Sequence, residues 1–140
     1  MTSFEAIHNA ARSLYKTSIV DVYSVQTQWD NAPLDIDDSS LGTYNCWSRF
    51  NIRPGLTDIT ELGETKTYRT PGIVIIQLFS KIEEGDRDAL RLADKIKETF
   101  RSVTTSGVHF RTPYISNSGR TDNKWWQINV YCPFYSDDTD

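Results

Sequence analysis

Cysteine and histidine are scarce in this chain, two of each, and none stands in a metal-binding arrangement. Cys46 and Cys132 belong to no CxxC pair, and each sits inside an apolar strand pattern, so both read as buried free thiols rather than a disulfide. His8 and His109 have no second histidine at helical spacing and no carboxylate motif beside them, so neither a metal centre nor another cofactor is expected. Long apolar runs are missing too: none approaches the roughly 18 residues that a membrane span needs. The N-terminus shows no basic flank followed by an apolar region, which points to a chain made in the cytoplasm without a signal peptide. GxSxG, a Gly-rich phosphate loop, HExxH and paired His/Cys arrangements are all absent, so catalysis has no motif behind it. The paired carboxylates Glu83-Glu84 and Asp37-Asp38 sit in turn-like stretches, where solvated charge is the ordinary role. With a pI near 5.1 and scattered bases, the chain also lacks a nucleic-acid footprint.

What is present is enough for one domain over residues 1–140 with an ordinary core, given 38% hydrophobic and 24% charged residues. The organising stretch runs from Thr70 to Phe100. Ile73, Val74, Ile75, Ile76, Leu78 and Phe79, interrupted by Gln77, are too short a run for an ordinary helix and rich in β-branching, so they predict a central strand. Pro71 and Gly72 mark its entry, and Glu83-Glu84-Gly85-Asp86 reads as the turn that follows. Asp86 then caps a helix whose Ala89, Leu92, Ala93, Ile96 and Phe100 share one stripe, with Arg87, Arg91, Asp94, Lys95 and Glu98 opposite. A strand followed by a one-sided helix buries both apolar surfaces by folding the helix back onto the sheet.

Elsewhere, Thr2-Ser3-Phe4-Glu5 has capping-box spacing, and Phe4, Ile7, Ala11 and Leu14 predict a helix to about Tyr15. Ile19 to Gln26 is β-branched and reads as a strand. Asp30 to Leu41 reads as a loop and Tyr44 to Arg53 as a strand, with Cys46, Phe50 and Ile52 on one side and Trp47, Arg49, Asn51 and Arg53 on the other. Leu56 to Thr65 is a hairpin connection or a projecting loop. Val108 and Phe110, with Tyr114 and Ile115, form a strand disturbed by Pro113; Asn117-Ser118-Gly119-Arg120 is a turn. The last strand puts Trp126, Ile128, Val130, Cys132 and Phe134 on one face, and Pro133 places its end at an edge or outside regular pairing. The expected fold is α+β: an antiparallel or mixed sheet with an N-terminal helix and a second helix packed on one face.

Two features bear on function. In register, the second face of the sheet presents Trp47, Arg49, Gln77, Trp125, Gln127, Asn129 and Tyr131. Such a face is either solvated, covered by a loop or buried against another protein, and its aromatics, arginine and amides favour a subunit contact. The net charge of −4 is also unevenly spread. With Asp30, Asp35, Asp37 and Asp38 of one loop and Asp137, Asp138 and Asp140 of the tail set aside, 12 acids face 15 bases, a balance of +3. These acids read as solvated loops and a frayed tail, or as a surface that repels a passing polyanion or marks a charged ring face.

Five segments in order carry a resemblance: Gln28-Trp29-Asp30-Asn31-Ala32-Pro33; Trp47-Ser48-Arg49-Phe50-Asn51-Ile52-Arg53-Pro54-Gly55; Arg69-Thr70-Pro71-Gly72 through Phe79; Gly85 to Phe100 with Leu92-Ala93-Asp94; and Trp126-Gln127-Ile128-Asn129-Val130 with Pro133-Phe134. Over about residues 20 to 136 the pattern resembles the tail-terminator proteins of long-tailed bacteriophages, the group that includes relatives of lambda minor tail protein U. Ser80 to Gly85 departs from the proline-and-glycine turn usual there and keeps only the glycine. The resemblance implies a virion protein that assembles as a hexameric ring. Such a ring stops polymerisation of the tail tube at its head-proximal end and then meets the head-completion protein. DNA would pass without sequence-specific binding. Asp30, Asp35, Asp37 and Asp38 are candidates for the lumen or a ring surface. The competing readings are a head-completion or connector protein of the phage neck, a non-viral small ligand-binding domain, and a hydrolase whose site cannot be located.

Overall fold

The computed structural model describes residues 4–29, 41, 42, 44, 46–55, 58–61, 67–81, 87–105, 107–120 and 125–139. The cap at Thr2 and Ser3, the turn and cap at 83–86, and the acidic residues Asp30, Asp35, Asp37 and Asp38 lie outside them.

Helix α1 (Phe4–Tyr15) leads into a π-helical turn (Lys16–Val20) and a last helical turn, α2 (Asp21–Tyr23). The strand predicted from Ile19 is therefore helical up to Tyr23, and β1 is only Gln26–Gln28. Burial explains why the β-branched residues yield: Ile7, Ala11, Tyr15 and Ile19, spaced by four, all face the core, and this packing outweighs strand propensity. Ser24, at φ 56°, ends the helix in the left-handed conformation. Phe4, expected on the buried stripe, is instead 44% exposed.

Strand β2 (Cys46–Pro54) follows, then β3 (Asp58–Glu61), β4 (Thr67–Lys81), α3 (Arg87–Phe100), β5 (Thr104–Thr105), β6 (Val108–Phe110), β7 (Tyr114–Arg120) and β8 (Trp125–Thr139). They form an eight-stranded sheet in the order β1-β2-β4-β8-β6-β5, with β3 paired to β4 and β7 to β8. The sheet is mixed: β1 runs parallel to β2, which the long connection after β1 permits, and every other pairing is antiparallel. The fold is α+β as expected, with β4 between β2 and β8 in the middle of the sheet.

The long strands absorb several predicted breaks. Pro71 lies within β4 rather than at its entry. Its carbonyl accepts the Gly55 N–H at 2.6 Å, so its missing N–H faces the seam where the neighbouring strand changes from β2 to β3 and no ladder bond is lost. Pro133 lies within β8 in the same manner. Its carbonyl accepts the Arg111 N–H at 2.9 Å, which turns its nitrogen toward the break between β6 and β7. Gly72 beside Pro71 is required by packing, because a Cβ there would overlap the Phe134 ring and the Arg53 carbonyl oxygen. The turn predicted at Asn117 to Arg120 is the end of β7, where the register with β8 shifts between Asn117 and Gly119; turn-like composition here makes a bulge. The tail is not frayed over its described length, since Ser136 to Thr139 pair with Thr70 to Thr67.

The helices cover one face. Ala89, Leu92, Ala93, Ile96 and Phe100 of α3 are fully buried against Val74, Ile76 and Leu78 of β4 and Ile128, Val130 and Cys132 of β8, each large side chain contributing about 1.5–3 kcal/mol. Cys46 and Cys132 are buried and free, and burial pushes the Cys132 thiol well above its ordinary range.

Candidate assembly face

The other face of the sheet carries the seven residues singled out from the alternation, and register brings them together. The strands align Gln28, Arg49, Gln77, Asn129 and Ser116 as a polar row across β1, β2, β4, β8 and β7. Arg49 holds this row: its Nε donates to Gln28 Oε1 at 3.1 Å and a terminal nitrogen donates to Gln77 Oε1 at 3.4 Å. Further along, Gln127 Nε2 donates to Asn129 Oδ1 at 2.7 Å, and Asn129 Nδ2 donates to the Tyr131 hydroxyl at 3.2 Å.

An aromatic row lies beside it. Trp47 and Phe79 stack with centroids 4.2 Å apart, Trp125 meets Trp47 edge-on at 5.9 Å, and Leu41 completes the cluster. The Arg49 guanidinium lies 5.3 Å from the Phe79 ring and 5.7 Å from the Trp47 ring, close enough for cation–π attraction. On the far side of the polar row, Tyr131 stacks on Tyr114 at 5.0 Å.

The seven residues are not equally available. Trp47, Trp125, Gln127 and Asn129 are buried within their own chain, whereas Arg49, Gln77 and Tyr131 are half-buried. The first four therefore form the floor of this face, and the last three keep part of their surface accessible. Trp47 Nε1 is buried with no hydrogen-bond partner among the described residues, an uncompensated donor on this face. Tyr114, 52% exposed, belongs with this surface although the strand pattern gave no sign of it; only its register opposite Tyr131 reveals the pairing. Ile73 and Ile75, half-buried on the same face, add apolar surface between them.

At the end of the face remote from the tryptophans lies a second group that sequence reasoning missed. Tyr135 stacks on His109 at 4.9 Å, with the Arg69 and Arg111 guanidinium carbons 4.3 and 4.9 Å from its ring centroid. Arg69 binds Asp137 through two hydrogen bonds of 2.8 and 3.0 Å, and that pairing holds the Asp137 carboxyl below the usual carboxylate range. Among the described residues, no group of His, Cys, Asp and Glu is arranged to hold a metal ion. The face is chemically suited to contact: rigid aromatics, arginine and amides, with a polar row whose hydrogen bonds fix its geometry.

Comparison with known proteins agrees with this architecture. One solved structure superposes with a TM-score of 0.59 at 15% sequence identity, covering 91% of this chain and 93% of that chain, a likeness of fold. No curated protein matches the sequence. The family model described as phage tail terminator protein matches residues 6–134, nearly the whole chain. The chain belongs to the phage tail terminator protein family, and is thus a structural component of a bacteriophage tail.

Proposed function

We propose that this protein forms a ring, a hexamer, that caps the head-proximal end of a long tail tube, stops its polymerisation and offers the surface to which the head-completion protein binds. The observation that carries this reading, beyond the family itself, is the second face of the sheet. One face of a two-layer fold is used up by the helices; the other shows Arg49, Gln77, Tyr131 and Tyr114 over a floor of tryptophans, which is the composition of a protein contact rather than of free surface. Subunits meeting through this face leave the ring's two ends free for unlike partners, the tube below and the neck above. A structural role of this kind needs no catalytic group, cofactor or membrane.

The test is tail length. When tube protein assembles in infected cells lacking this protein, the tubes should lose their uniform length and fail to join heads, and supplying the chain should restore both. Tubes of normal length that still join heads in its absence would overturn the assignment.

A further inference from the structure

Midway along the open face, register sets two arginines at the ends of one row. Arg53 of β2 stands opposite Ile73 of β4, and Ile73 stands opposite Pro133 of β8. On the far side of Pro133, its carbonyl accepts the Arg111 N–H at 2.9 Å. Three strand spacings therefore separate Arg53 from Arg111, roughly 14 Å at the backbone. Both side chains are exposed and have no carboxylate within ion-pair distance among the described residues, whereas Arg69 is committed to Asp137. The Arg111 guanidinium sits over the Tyr135 ring, 4.9 Å from its centroid, which leaves its N–H edge for a carboxylate.

Between the arginines the surface is apolar. Ile73, Ile75 and Pro133 are half-buried and Pro71 is exposed. In the adjoining row Ile75 stands opposite Tyr131 and Tyr131 opposite Tyr114, so the strip continues into the tyrosine stack. An apolar strip suits another protein better than the solvated phosphates of a nucleic acid, and the guanidinium groups at its ends call for carboxylates.

The same row argues against contact of this face with itself. A two-fold axis through the row, along the strands or across them, sets arginine against arginine, and like charges opposed in a desolvated contact repel. A second copy nonetheless has the complementary charge. The chain carries 19 acids and 15 bases, and with Arg53 and Arg111 set aside 13 bases remain, a balance of −6.

We propose that the strip between Arg53 and Arg111 takes an acidic surface of a second copy, so that the open face joins a different face of its neighbour. This rests on the ring reading above and deepens it, because contacts between unlike faces are the ones that close rings of more than two subunits.

The test compares the full chain as wild type, R53Q/R111Q and R53E/R111E, by light scattering over a concentration series beside circular dichroism. With spectra unchanged, half-assembly should need about ten-fold more protein or higher for R53E/R111E, with R53Q/R111Q in between. Wild-type assembly should weaken as salt rises from about 50 to about 300 mM. The opposite signs mark arginine facing arginine: R53Q/R111Q assembling as well as wild type or better, or salt strengthening the wild-type assembly, would overturn the proposal while leaving the ring reading intact. A labelled DNA duplex that binds wild type and not R53E/R111E would also overturn it, since the arginines would then serve nucleic acid. Wild type that never assembles, alone or on purified tails, would overturn both readings.

Discussion

Tyr15 is the residue on which the two layers are fastened. It is completely buried, stacked on Phe50 at 5.4 Å and edge-on to Trp29 at 6.0 Å, and its hydroxyl donates to Ser48 Oγ at 2.8 Å. Thr27 Oγ1 donates to the Val25 carbonyl at 3.2 Å and lies 2.8 Å from Ser48 Oγ. With the Thr27 proton committed to the carbonyl, Ser48 must donate to Thr27, so the relay runs one way from Tyr15 through Ser48 and Thr27 to the backbone. Burial pushes the Tyr15 phenol far above its ordinary value, so it stays a neutral donor. Tyr15→Phe removes only the first donor and should cost about 1 kcal/mol, whereas Ser48→Ala removes both the nearest acceptor of the Tyr15 hydroxyl and the donor to Thr27, and should cost about 2–3 kcal/mol. Urea midpoints in the opposite order would show that the relay is not what fastens α1 to β1 and β2.

At the scale of elements, the long antiparallel pair β4 and β8 is the frame, and its far end is held by charge as well as by ladder bonds. Ser136 is buried and donates to the Gly107 carbonyl at 3.1 Å, and Asp137 pairs with Arg69 across the two strands. Because Arg69 lowers the folded-state pKa of Asp137, the stability this pair contributes is present above the unfolded carboxylate value of about 4 and is lost as pH falls through the lower folded value. Wild type should therefore melt above Asp137→Asn near neutrality, and the gap should close in acid, once the pH has fallen below the ordinary carboxylate range and through the lowered folded value of Asp137. A gap that is constant across this range would remove the ion pair from the account.

The strictly periodic elements were legible in the sequence. Helix α3 and strands β2, β4 and β8 repeat their apolar residues at one spacing for long enough to fix both type and face. Residues 16–23 were not, because Thr17, Ile19, Val20 and Val22 favour strand locally and only the burial of Ile19 one turn beyond Tyr15 reveals the continuing helix. Asn117 to Arg120 failed for a related reason: a bulge and a turn draw on the same residues. The two long strands also run through Pro71 and Pro133, since each directs its missing donor at a seam between neighbouring strands, a property of pairing that no local window contains.

Among the described residues, the molecule is a sheet with one face closed by helices and a second face that we propose meets another copy of the chain. Alternation along single strands was sufficient to put Trp47, Arg49, Gln77, Trp125, Gln127, Asn129 and Tyr131 on that face. The Tyr114–Tyr131 stack and the Tyr135 cluster were not readable, because both depend on how β6 and β7 register against β8. This difference also decides how the face is best tested. Arg49 is bonded to Gln28 and Gln77 of its own chain, so Arg49→Glu disturbs the monomer along with any contact. Tyr114 is 52% exposed, and Tyr114→Glu adds a charge that water solvates in the monomer and that a desolvated contact would leave unpaired, at a cost on the order of a few kcal/mol. The direct measurement is mass by light scattering beside circular dichroism, on concentrated wild type and Tyr114→Glu. The open-face account predicts a ring mass for wild type and a monomer mass with an unchanged spectrum for the variant; a variant that keeps the ring mass and still yields tails of normal length would contradict it.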